Sequence, residues 1–122
     1  MMIKSILISK NTRNQQIVTE VEYEKYDIKE MNRLLGASCF TSAGYLPNGD
    51  GALVDDEGLF SLTPNTLVTK MKYYAQPVVG NILITGVDSQ GGSTNVLSTL
   101  EQVQEQIEWS LTLIEAKTSG KI

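Results

Sequence analysis

This chain has few chemical tools. It contains no histidine and a single cysteine, Cys39. Catalytic triads that use imidazole as a base are therefore excluded, as are zinc sites that need it. Intrachain disulfides and thiolate zinc cages are excluded by the cysteine count. Cys39 sits in Ala37-Ser38-Cys39-Phe40 with no base nearby, and is expected to be a small buried side chain. Carboxylate, lysine and tyrosine chemistry survives, but no paired acid–base arrangement stands out. No catalytic residue, metal ligand or cofactor is assigned.

Three constellations remain. The first is the loop from Asp88 to Asn95, between a strand and a helix, where backbone N–H groups can hold an anion. It fits neither the P-loop nor the dinucleotide pattern, so a plain connecting loop is the simpler reading. Its Asp88, Gln90, Ser93, Thr94 and Asn95 are nevertheless the first candidates for a small polar or nucleotide-type ligand. The second is Tyr73-Tyr74 beside Lys70 and Lys72, which offers aromatic faces and positive charge to a base and its phosphate. Core packing of at least one tyrosine is the competing reading. The third is Asp50, Asp55, Asp56 and Glu57 beside Asn48. Hard cations take several oxygen ligands, but the EF-hand register fails at Ala52 and Val54, leaving acidic turns in water.

Net charge narrows the partners. Ten basic residues against fourteen acidic ones give −4, with only two arginines, Arg13 and Arg33. A nucleic-acid binder relies on a basic patch, so direct DNA or RNA binding is not expected. Glu20, Glu22 and Glu24 alternate on one strand face and read as solvated. No apolar run approaches the ~20 residues that span a bilayer, and the opening segment is too short and alternating for a signal peptide. A cytoplasmic protein with no membrane contact is expected. At 122 residues, one domain is expected: a sheet-rich core over 1–97, a helix over 98–117 and a short tail over 118–122.

The elements that must position these residues follow from periodicity. Residues 2–9 and 16–23 read as strands. Asp27 with Glu30 begins a short helix that Gly36 ends. Residues 37–46 look like a strand broken by Gly44, and Pro47-Asn48-Gly49-Asp50-Gly51 is a strong turn. Short strands at Ala52–Val54 and Leu59–Leu62 flank a second turn. Thr63–Tyr74 suits helix or strand, with a turn at Pro64-Asn65 and extended chain favoured. Val78–Val87 is the most apolar strand and is expected at the sheet's centre. The fold class is α+β: a mostly antiparallel sheet of about five to seven strands, a short helix, and a long C-terminal helix packed across it.

That last helix, capped by Ser98 with Glu101, carries two apolar stripes at helical spacing. Leu100, Val103, Ile107, Leu111 and Ile114 form one, expected to dock on the sheet. Trp109, Leu113 and Ala116 lie opposite. A surface helix needs one such stripe. Trp109 and Leu113, flanked by Gln102 and Gln106, are therefore the expected interface of a homo-oligomer.

Taken together, residues 2–9 and about 17–108 resemble the family called domain of unknown function 3846. The likeness runs through Met2-Ile3-Lys4, Leu35-Gly36, the hairpin Val54–Leu59, Leu62-Thr63-Pro64-Asn65, Val79–Asp88 and the helix start near Ser98–Gln106. The family often has a basic residue after its Pro-Asn, where this chain has Thr66, and the chain continues well past the family's usual end. The resemblance implies a phage or mobile-element setting in a bacterial host and transfers no catalytic residues. The resulting expectation is a non-catalytic counter-defence protein that sequesters a small nucleotide-type signal. An acidic inhibitor of a host defence protein, such as a nuclease, is the alternative. A small carboxylate- or tyrosine-based enzyme ranks third.

Overall fold

A computed structural model describes residues 1–122. Chain alternation sets its central layer. β1 (Met2–Lys10) and β2 (Gln16–Glu24) pair in one unbroken antiparallel register from Met2 opposite Glu24 to Lys10 opposite Gln16. Their hairpin is closed by Asn11, whose side-chain oxygen accepts from the Arg13 and Gln15 N–H groups. β3 (Phe40–Tyr45) and β4 (Gly51–Asp55) form a second hairpin, with a bulge between Ser42 and Gly44. β7 (Ile82–Val87) joins the two hairpins, giving the order β2-β1-β7-β4-β3. Two-residue β8 (Ser93–Thr94) pairs with the end of β7. The apolar run at 82–87 therefore does lie centrally, as its burial on both faces requires.

Each face of this sheet has its own cover. On one face Ile3, Leu7, Tyr23 and Leu83 pack with Met31 and Leu35 of α1 (Ile28–Leu35). Asp27 caps α1 by accepting from the Glu30 N–H, and Gly36, at φ 65°, ends it. The opposite face presents Ile6, Ile8, Ala52, Ile82 and Ile84. A second, three-stranded sheet and α2 (Leu100–Gln106) supply Leu67, Met71 and Val103 to this core. The second sheet has the order β6-β5-β9, with β5 at Leu67–Met71, β6 at Val78–Val79 and β9 at Ile107–Thr112. The Thr63–Tyr74 segment thus is extended after its Pro64 turn.

The long C-terminal helix is not formed. The chain is helical only as α2, crosses the molecule as β9, and becomes helical again as α3 (Leu113–Thr118). Two local signals oppose a continuous helix. Ile107, Trp109 and Leu111 alternate with Glu108, Ser110 and Thr112, and β-branched and aromatic residues favour a pleated strand. Thr112 and Glu115 then form a capping box that starts a new helix. The decisive term is tertiary: β5 offers a free edge, and β9 pairs along it from Leu67 opposite Thr112 to Met71 opposite Ile107. Consequently there are no opposed helical stripes. Leu100 and Ile114, assigned to the sheet-docking side, are 40% and 54% exposed, whereas Leu113 and Ala116 are buried within the chain.

Other expectations change at smaller scale. The cap of α2 is Thr99 with Gln102, one residue beyond the expected Ser98 and Glu101. Ser98 is held elsewhere, by Asp50. Gly80, at φ 85°, turns the apolar run so that Val78–Val79 and Ile82–Val87 enter different sheets. Leu59–Leu62 is no strand; Gly58–Phe60 forms one turn of 3-10 helix. Cys39 is exposed rather than buried, because it lies in the connection from α1 to the outermost strand β3.

Candidate functional site

The Asp88–Asn95 loop is closed on itself. Asp88 Oδ1 accepts from the N–H groups of Gln90 at 2.9 Å and Gly92 at 2.8 Å. Its Oδ2 takes the Lys25 ammonium at 3.1 Å. The Gly92 N–H, the Lys25 ammonium and the Gln90 N–H together hold the Asp88 carboxyl below the usual carboxylate range. The same Asp88 hydrogen bond raises Lys25 above its ordinary value. An internal carboxylate thus occupies the backbone donors that an anion would have used. Asn95 is committed as well, its side-chain oxygen accepting from the Lys4 N–H at 2.9 Å. The Thr94 carbonyl accepts from Thr85 Oγ1. Gly86 permits this close crossing, since any Cβ there would collide with the Asn95 carbonyl.

Nor do the tyrosines join that loop. Gly91, Gly92 and Ser93 border a small cleft with Tyr26, Met31 and Phe40, on the α1 side of the sheet. Tyr74 packs on the opposite face, over Gly44 and against the core shared by the two sheets. Its hydroxyl is buried without a hydrogen-bond partner, and burial pushes its ionisation above the ordinary tyrosine value. Tyr73 points outward, 75% exposed. Lys70 is drawn to Glu108 at 3.4 Å. Loop and aromatic pair therefore do not form one pocket.

Asp50, grouped by sequence with the acidic turns, is withdrawn from solvent entirely. It accepts from the Leu97 N–H at 3.0 Å, the Ser98 N–H at 2.9 Å and the Ser98 hydroxyl at 2.6 Å. Asn48 Nδ2 donates to the same Ser98 hydroxyl at 2.8 Å. In front of them lies a polar cleft of about 220 Å3, whose lining includes Gln102, Glu105 and Gln106. The two glutamines placed at a subunit interface by helical spacing thus border this cleft. Serine here has no imidazole to activate it and its proton goes to a carboxylate that already accepts two amides. The geometry clips the β3–β4 turn to the start of α2; it does not build a nucleophile. No group of three or more acidic or thiol side chains converges on a metal position.

The interface residues at the C-terminus are also redistributed. Leu113 is only 9% exposed. Trp109 is half-buried and pairs with Lys70, so it shares the face of β5 that carries Val68 rather than the core-facing side of Leu67 and Met71.

What the sequence reading missed is the tip of the second acidic turn. Leu59 and Phe60 are 71% and 86% exposed. They form one wall of a groove of about 280 Å3 that Val54, Pro77, Val78 and Val79 also line, with Asp55 and Asp56 at its rim. None of the five ion pairs in the fold uses Asp55, Asp56 or Glu57. One signal was legible. Adjacent Leu59 and Phe60 break the alternation a half-buried strand requires.

These elements, from β1 through α2, are the extent of a recognised domain. A family model, Domain of unknown function (DUF3846), matches residues 3–108. The chain belongs to the DUF3846 family. The match spans the hairpins, α1, the central β7 and the Leu59–Phe60 tip, and it stops two residues into β9. Most of β9 and all of α3 therefore extend this DUF3846 domain beyond its matched part. No curated protein and no solved structure matches the chain. No helix in this DUF3846 protein is long and apolar enough to cross a membrane.

Proposed function

We propose that this DUF3846 protein is a non-catalytic protein-binding domain whose contact surface is the Leu59–Phe60 tip and the groove beside it. The carrying observation is the exposure of two adjacent large apolar side chains on a compact turn, 71% and 86% for Leu59 and Phe60. Burying each such side chain is worth about 1.5–3 kcal/mol, and apolar patches rimmed by polar groups mark contact surfaces. This favours direct binding of a protein over capture of a nucleotide. The loop donors are already taken by Asp88, and Tyr74 lies on the other face of the sheet. The family resemblance supplies the setting of the proposal: a phage-type protein acting on a host protein in the bacterial cytoplasm.

Affinity capture from a host extract, with wild type and a Leu59→Ser/Phe60→Ser variant in parallel, tests it. A protein retained by wild type and lost by the variant supports the reading. Equal retention by both, or a nucleotide released on heating the purified protein, overturns it.

A further inference from the structure

We infer that the groove between the two sheets takes an extended segment of a protein partner that alternates cationic and apolar side chains. The inference rests on the protein-binding reading above and names the chemistry of the partner. Three independent observations lead to it.

The first is shape. The groove opens where β3 ends the large sheet and β6 ends the small one, with Ala43 on one side and Val78–Val79 on the other. Both are edge strands with one side unpaired. An extended segment laid there can pair its backbone with a free edge, the strand-addition mode of peptide recognition. Alternate side chains of such a segment point the same way.

The second is apolar lining. Val54, Leu59, Phe60 and Pro77 surround about 280 Å3 of space, enough for a large apolar side chain. Gly58 brings this wall beside β6, where a Cβ would make an ordinary contact, 3.5 Å, with the Val79 carbonyl.

The third is charge. Asp55 uses one oxygen to accept from the Glu57 N–H at 2.9 Å. Asp56 and Glu57 are exposed, and none of the three has a cationic partner within the chain. Carboxylates in that position attract arginine, whose planar fork can bind two oxygens at once. They repel an anionic membrane surface, so exposed Leu59 and Phe60 point to a protein partner rather than to lipid.

Fluorescence anisotropy with three blocked decapeptides tests this. One alternates arginine with valine, one glutamate with valine, and one arginine with serine. The arginine–valine peptide is expected to bind, more weakly as salt rises, and the other two to bind at least about tenfold more weakly. Asp55→Asn/Asp56→Asn/Glu57→Gln should weaken it roughly tenfold, as should Leu59→Ser/Phe60→Ser. Circular dichroism verifies folding, and the single Asp56→Asn change at an exposed site serves if the triple variant is unstable. Binding of the glutamate peptide as tightly as the arginine one overturns the inference, as does unchanged affinity in either variant. A self-associating wild type that the triple change dissociates makes a second copy the occupant and also overturns it. If no peptide binds while capture of a host protein still needs Leu59 and Phe60, the inference fails and the protein-binding reading stands.

Discussion

The Ser98 hydroxyl donates to Asp50 Oδ2 at 2.6 Å, across 48 residues of chain. With the Leu97 and Ser98 amides, it makes a fully buried carboxylate the fastener between the β3–β4 turn and α2. A buried charge is tolerable only when it is hydrogen-bonded, and here both oxygens are engaged.

Asp50→Ala should therefore destabilise the protein by about 3 kcal/mol, because it leaves three donors at a largely buried junction without their acceptor. Asp50→Asn keeps the shape and one acceptor oxygen, and should cost less. Urea denaturation measures both. A loss below about 1 kcal/mol for alanine would contradict the fastener role.

Acid should weaken the fold through the loop that Asp88 closes. Asp88 is held below the usual carboxylate range first by the Gly92 N–H, then by Lys25 and the Gln90 N–H. The Thr112 N–H and hydroxyl lower Glu115 in the same direction. A depressed folded value means the stabilisation is complete above the unfolded value, about 4, and is lost as pH falls through the folded one. The Tm of wild type should drop as pH falls below about 5, and Asp88→Asn/Glu115→Gln should flatten that slope. Lys25, raised above its ordinary value, has the opposite sign: its contribution is present at neutral pH and lost only in strong alkali.

Tyr74→Phe should leave stability unchanged or raise it by about 1 kcal/mol, since it removes a buried hydroxyl with no partner. Ultraviolet titration of wild type should show tyrosine ionisation extending above the ordinary range, and the variant should lose the part of it that belongs to Tyr74. A lower Tm for Tyr74→Phe would reveal a partner for the hydroxyl.

Leu113→Ala should lower stability by about 2–3 kcal/mol, as a core truncation does, because Leu113 is 9% exposed within a single chain. Light scattering should give the same mass for variant and wild type. A lower mass at unchanged stability would place Leu113 at a subunit contact.

Much of this fold is written locally. The strand alternation of Ile17–Tyr23, the Asp27–Glu30 cap, the Gly36 stop and the apolar run of β7 need only nearest neighbours to be read. The exclusion of imidazole chemistry, intrachain disulfides and thiolate zinc cages is likewise settled by composition. Three features are not local. Ile107–Thr112 suits both a helical stripe and a strand, and the free edge of β5 decided for the strand. Asp50 resembles its solvated neighbours Asp55 and Asp56 until Leu97 and Ser98, far along the chain, close over it. Leu59 and Phe60 count as core by hydropathy, and only the packing of the two sheets leaves them outside. Local rules determine what each segment can become. Which apolar face finds a cover, and which buried charge finds donors, depends on contacts that exist only after the sheets have met.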